Sequence, residues 1–206
     1  FLYFNGCSYT KGMELDNREY DYYGVRDRFS TLVSNYFKAD HLNDAKGGSN
    51  NDEIVMRSLE FLEDNVCDYA IIMLTHAERM NFNKSIRPHT HPSFYEEYYD
   101  DKVGSLNFYK NRYILEQEFD KKNIPLLLLQ YHNVYGDNVW SRRCKGKLQT
   151  IANRTMIDNP LDREKTLLGR RKNKKYYYSD IEKKTLCHFN IEGHKRVADY
   201  IIGQLT

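Results

Sequence analysis

Two short stretches of this chain are apolar at every position instead of every second one: Tyr69-Ala70-Ile71-Ile72-Met73-Leu74 and Leu126-Leu127-Leu128-Leu129. A strand wetted on one face alternates, whereas a strand covered on both faces does not. Runs of this kind suit a parallel sheet with helices above and below. Parallel neighbours need crossover connections, and the segments around these runs can supply them. Arg26 to Phe37 carries Phe29, Leu32, Val33, Tyr36 and Phe37 at helical spacing. Leu106 to Lys122 also reads as a helix, and Ile191, His194, Val197, Ala198, Ile201, Ile202 and Leu205 form a final helical stripe. The expectation is a single α/β domain over residues 1–206, without internal repeats or a linker.

Between these elements, His41 to Ala45 reads as a short strand. Gly47 and Gly48 mark a turn, and Ser49, Asn50 or Asn51 can cap a helix whose inner face is Ile54, Val55, Ser58, Leu59 and Leu62. Ile124 to Gln130 is the next buried strand. Two segments resist assignment and read as insertions, at about 80–104 and 142–178. The second contains Arg170-Arg171-Lys172-Asn173-Lys174-Lys175 followed by three tyrosines. Such a run could contact phosphates or stacked bases. With a formal net charge of +2, a solvated insertion is the preferred reading, and a nucleic-acid partner is not expected.

No apolar run approaches the roughly 18 residues of a membrane span. The four cysteines, Cys7, Cys67, Cys144 and Cys187, match no zinc spacing and make no disulfide framework. The chain opens directly on strand-like residues, with no leader. A reducing, cytoplasmic location is therefore expected. His89-Thr90-His91 has no carboxylate at ligand spacing, so no metal is assigned, and no phosphate-binding or dinucleotide glycine motif occurs.

The chemistry sits at the two ends. Leu2, Tyr3 and Phe4 read as a buried strand, Gly6 as a tight turn, and Ser8 follows at the strand's carboxyl end. Ligands collect at that edge of open α/β sheets. The chain closes with His188-Phe189-Asn190-Ile191-Glu192-Gly193-His194 before its last helix. Taken singly, Ser8 could be a cap, Gly48 only a turn, and His188 a helix cap.

Together these segments resemble the SGNH (GDSL-like) hydrolases. Gly6-Cys7-Ser8-Tyr9-Thr10 is similar to that family's first block, Gly-Asp-Ser-(Leu/Phe/Tyr)-Thr. His188, Asn190, Gly193 and His194 fit its closing pattern, with Phe189 in place of the usual proline. The resemblance implies a three-layer α/β/α sandwich with a mostly parallel, flavodoxin-like sheet. It also implies a cofactor-free esterase or carbohydrate deacylase acting on a small-molecule or glycan ester. Ser8 would be the nucleophile and His188 the general base. The backbone N–H groups of Ser8 and Gly48 would form the oxyanion hole.

Two departures matter. The family's third block, Gly-x-Asn-Asp, follows the third strand and supplies an asparagine donor to the oxyanion hole. This chain has Thr75-His76-Ala77-Glu78, with no asparagine in register. His76 is the candidate substitute, with Asn81 and Asn83 as later possibilities. The acid expected three residues before the base is Thr185 here, and Asp180 is an upstream acid at the wrong spacing. A Ser-His dyad is one consequence; a degenerate binding protein is the alternative. Cys7, replacing the first-block aspartate, is a minor rival nucleophile whose side chain should point away from that of Ser8.

Overall fold

The computed structural model describes residues 1–12, 26–77, 79–82, 84–86, 100–130, 137–144, 149–150, 189 and 191–206, with backbone only at 80–82, 84–86, 149–150 and 191–192. In chain order the elements are β1 (Leu2–Asn5), α1 (Ser8–Lys11), α2 (Phe29–Phe37), β2 (His41–Asn43), α3 (Asn51–Asp64), β3 (Tyr69–Leu74), β4 (Met80–Phe82), β5 (Lys84–Ile86), α4 (Asp101–Lys121), β6 (Leu126–Gln130), β7 (Gln149–Thr150) and α5 (Ile191–Leu205).

The main sheet has the strand order β2-β1-β3-β6-β7, and every pairing in it is parallel. Setting aside the separate antiparallel pair β4-β5, this is the flavodoxin-like order. The apolar runs behave as their composition requires. Along β3, Ile71 and Met73 enter one core while Ala70, Ile72 and Leu74 enter the other. Leu2 and Phe4 of β1 join Phe29 and Val33 of α2 and Val197, Ala198 and Ile201 of α5. Tyr3 faces the opposite way, onto Ile54, Phe61 and Leu62 of α3 and Phe119 of α4. Helices thus cover both faces, giving an α/β/α sandwich.

The helix starts follow capping chemistry. At α3, the Asn50 side chain accepts from the Glu53 N–H at 2.8 Å, and the Glu53 carboxylate accepts from the Asn50 N–H at 3.3 Å. This reciprocal pair satisfies two end groups. At α4, Asp100 accepts from the Lys102 N–H at 2.7 Å. That cap begins the helix at Asp101, five residues before the apolar pattern announces it. At α2 the preceding residue, Arg28, makes no side-chain cap. The Phe29 N–H instead donates to Nδ1 of His194, 3.2 Å away on α5. His194 is fully buried, with its ring 5.6 Å from that of Phe29. Because Nδ1 accepts, the proton of a neutral ring is on Nε2. This long-range cap explains why the helix expected from Arg26 starts at Phe29.

Other differences from the sequence reading are local. β2 is shorter than His41 to Ala45, and β6 begins at Leu126, not Ile124. Residues 80–86, expected to be irregular, contain the β4-β5 pair. Gln149–Thr150, inside the presumed second insertion, pairs with Leu129 and Gln130 as a fifth parallel strand. A two-residue strand is below the length at which hydrophobic periodicity can be detected.

Gly6 is fixed by space. A Cβ there would lie 2.2 Å from Thr10 Oγ1 and 3.0 Å from the Met73 carbonyl oxygen. Gly6→Ala should therefore lose about 1–3 kcal/mol of stability by overpacking, read as a lowered midpoint in chemical denaturation. His194→Leu should cost about 1–2 kcal/mol by leaving the Phe29 N–H without its acceptor, with the same readout.

Candidate active site at the carboxyl edge of the sheet

In the order β2-β1-β3, the crossovers leaving β1 and β3 diverge, and in open α/β sheets ligands bind beyond the carboxyl ends of strands at such a point. Ser8 lies at that edge as the first residue of α1, and is 5% exposed. Cys7, immediately before it, is fully buried in the α2/α5 layer. The turn from β1 into α1 is held from below by Asn5. Its Nδ2 donates to the Ile54 carbonyl and to Ser58 Oγ, each at 2.9 Å, and its Oδ1 accepts from the Gly6 N–H at 2.7 Å.

A single guanidinium ties this turn to the next loop. Arg57 Nη2 donates to Ser49 Oγ at 3.0 Å, to Asn5 Oδ1 at 3.3 Å and to the Gly6 carbonyl at 3.4 Å, while Nε donates to the Asp44 carbonyl at 3.2 Å. The backbone adds Asp44 N–H to Phe4 carbonyl at 2.9 Å and Lys46 N–H to Gly6 carbonyl at 3.3 Å. The glycine turn after β2 thus lies along the turn that delivers Ser8. Gly48 has φ of 84°, a left-handed conformation that glycine adopts without steric cost.

The loop after β3 joins the same cluster. Asn51 Oδ1 accepts from the Thr75 N–H at 2.8 Å, and its Nδ2 donates to the Thr75 and His76 carbonyls at 3.3 and 3.4 Å. Arg79 Nη1 reaches the Ser49 carbonyl at 3.1 Å. Glu78, which precedes Arg79, lies outside the described residues. His76 is half-buried beside this cluster. Ala77 packs apolar surface against the α3/α4 layer and offers no side-chain donor.

Ser8, at the start of α1, and Gly48 and His76, on the following loops, therefore lie at one edge of the sheet, in segments cross-linked through Arg57, Asn51 and Arg79. His188, Thr185, Asp180 and Asn83 lie outside the described residues, as do Cys187, His89, His91 and the basic run 170–175. Asn81 is on β4. One neighbour of His188 is described: Phe189 is buried, with its ring 5.1 Å from Tyr9 and 5.7 Å from His194. The residue after His188 thus packs on the residue after Ser8.

Arg57, Asn50 and Asn51 were not singled out from sequence as parts of a site, although both asparagines were recognised as possible caps. A signal for Arg57 was present. It stands beside the buried stripe of α3, three residues after Ile54 and four before Phe61, and is half-buried there, where a cation needs an internal partner. Among the described residues no group of three or more His, Cys, Asp or Glu could hold a metal, and no helix is long and apolar enough to cross a membrane.

The fold is that of the GDSL/SGNH hydrolases. No family model and no curated protein matches the sequence. Among solved structures, the acetyl xylan esterase AlAXEase superposes with a TM-score of 0.53 at 16% identity, covering 100% of this chain and 99% of its own. TesA gives 0.57 at 12%, covering 100% and 97%. The esterase EstA from Pseudoalteromonas sp., inhibited by monoethylphosphonate, gives 0.52 at 10%, covering 99% and 95%. At such identities the likeness speaks for architecture, and residue roles rest on the geometry of this chain.

Burial pushes the thiols of Cys67 and Cys144 up to about 11, with the neighbouring Asp68 adding to the effect at Cys67. At pH 8 both should alkylate with iodoacetamide on the order of a hundredfold more slowly in the native protein than in denaturant, where the thiol value returns to ~8.5. Mass spectrometry of the labelled peptides is the check.

Proposed function

We propose that this protein is a serine hydrolase that cleaves an ester or acyl group, with Ser8 as nucleophile and His188 as general base. The observation that carries the reading is the packing of Phe189 on Tyr9, which couples the chain neighbours of the two groups although they are far apart in sequence. Support also comes from the position of Ser8 at the sheet's switch point and from the fold it shares with esterases.

Ser8 Oγ would attack the carbonyl carbon as its proton passes to His188. The negative charge then developing on the carbonyl oxygen is met by the backbone N–H groups of Ser8 and Gly48. Collapse of this intermediate breaks the ester C–O bond, and His188 returns the proton to the departing alkoxide. Water then enters by the same route, releases the acid and frees Ser8. Thr185 or Asp180 is the proposed support for the imidazole; a backbone carbonyl in that role would leave a dyad. The substrate proposed is a small-molecule or glycan ester.

A second reading, a binding protein of the same fold without turnover, is favoured by one observation: Ala77 stands in the loop where a third donor would be sought. Hydrolysis of p-nitrophenyl acetate separates the two. The enzyme reading expects hydrolysis, with covalent capture of Ser8 by an organophosphonate. Ser8→Ala and His188→Ala should each lower turnover at least about 10³-fold while leaving the thermal midpoint within a few degrees. An inert wild-type protein whose Ser8 is never labelled would leave the binding reading.

A further inference from the structure

Within the cluster of loops that presents Ser8, an amide donor fixed in direction has no acceptor. Asn50 is 1% exposed, and its Nδ2 makes no hydrogen bond. Its orientation is not in doubt. The Glu53 N–H donates to the other side-chain atom at 2.8 Å, and only an oxygen can accept there. The amide plane is thus locked by the cap, and Nδ2 points away from the first turn of α3. A buried amide nitrogen without a partner costs free energy and calls for an explanation.

The surroundings of Asn50 supply one. It follows Ser49, whose hydroxyl and carbonyl are held by Arg57 and Arg79, and precedes Asn51, which clamps Thr75 and His76. Arg57 also grips the Gly6 carbonyl, two residues before Ser8. Asn50 therefore stands among the residues that join the loops leaving β1, β2 and β3. The hydroxyls of Thr10 and Thr75 are also buried without partners. Neither is fixed in direction as the capped amide is.

We propose that the Asn50 side-chain amide is the third donor to the oxyanion of the reaction, delivered from the cap of α3 instead of from the loop after β3. The carbonyl oxygen of the bound ester would accept from Nδ2. The hydrogen bond strengthens as negative charge grows on that oxygen, so the benefit falls on the transition state more than on substrate binding. His76 is then dispensable as a donor. The proposal rests on Ser8 being the nucleophile.

Two variants keep the cap and remove the donor. In Asn50→Asp a carboxylate oxygen still accepts from Glu53. In Asn50→Ser the hydroxyl caps equally well and is too short to replace the amide. Both should keep a thermal midpoint within a few degrees of wild type. For p-nitrophenyl acetate, kcat should fall about 10²–10³-fold with KM changed less than about threefold. Phosphonylation of Ser8 should slow in parallel.

Rates within about threefold of wild type in both Asn50 variants would overturn the proposal. So would loss of the fold in both, which would make the amide a structural anchor. In either case a wild-type Ser8 that is still labelled leaves the hydrolase reading standing; an unlabelled wild-type Ser8 removes that reading and this proposal with it.

Discussion

The carboxyl edge of this sheet depends on one half-buried cation. Arg57 reaches from α3 to side-chain or carbonyl oxygens of Asn5, Gly6, Asp44 and Ser49, which belong to the turns after β1 and β2. Backbone oxygens crowded at the end of a parallel sheet repel one another and have no strand partner. A guanidinium, with five donors in a fixed fork, can satisfy several at once without a compensating carboxylate. Lysine would supply the charge but not the geometry. Through Ser49 the same network reaches Arg79, and through Asn51 it reaches the loop after β3, so the loops form one rigid shelf.

Rigidity there matters because catalysis of acyl transfer is largely a matter of donors already in place. A loop free to move would reorganise as charge develops and return much of the benefit. In this chain the shelf is built from side-chain amides and two half-buried arginines, and Ser8 is presented on top of it by a four-residue helix. Gly6 permits the close pass beneath Thr10, and Asn5 holds the turn from inside. Each polar group in the shelf is therefore tied to a particular backbone atom of the neighbouring loop.

The opposite layer works by different means. His194 caps α2 from α5, stacks on Phe29 and meets Phe189 edge-on; Phe189 in turn lies on Tyr9. A contiguous set of rings thus links the start of the last helix to α1. The phenylalanine that replaces the proline expected at 189 sets an aromatic ring against Tyr9 at a tilt of 55°, a contact that a proline ring could make only over a smaller area. The thiol of Cys7 enters the same apolar layer, which answers its candidacy as a nucleophile: its side chain is committed to the core while that of Ser8 is not part of it.

The sequence by itself determined the layered α/β plan, because unbroken apolar runs such as Tyr69 to Leu74 can be buried on both faces only in a helix-covered parallel sheet. It also determined that the first turn and the last helix carry the residues worth testing, since Ser8 and His188 stand in recognisable surroundings. It left Gln149–Thr150 and the early start of α4 unread: two residues have no period, and the Asp100 cap lies outside the apolar stripe it initiates. Only the tertiary structure decided that His194 serves as a cap for a helix 165 residues away in the chain, that Arg57 binds loops rather than an acid, and that Asn50 holds an amide with nothing to donate to. Those facts are set by which atoms meet across the fold, and hydrogen bonding between distant segments leaves no local pattern in the order of the residues.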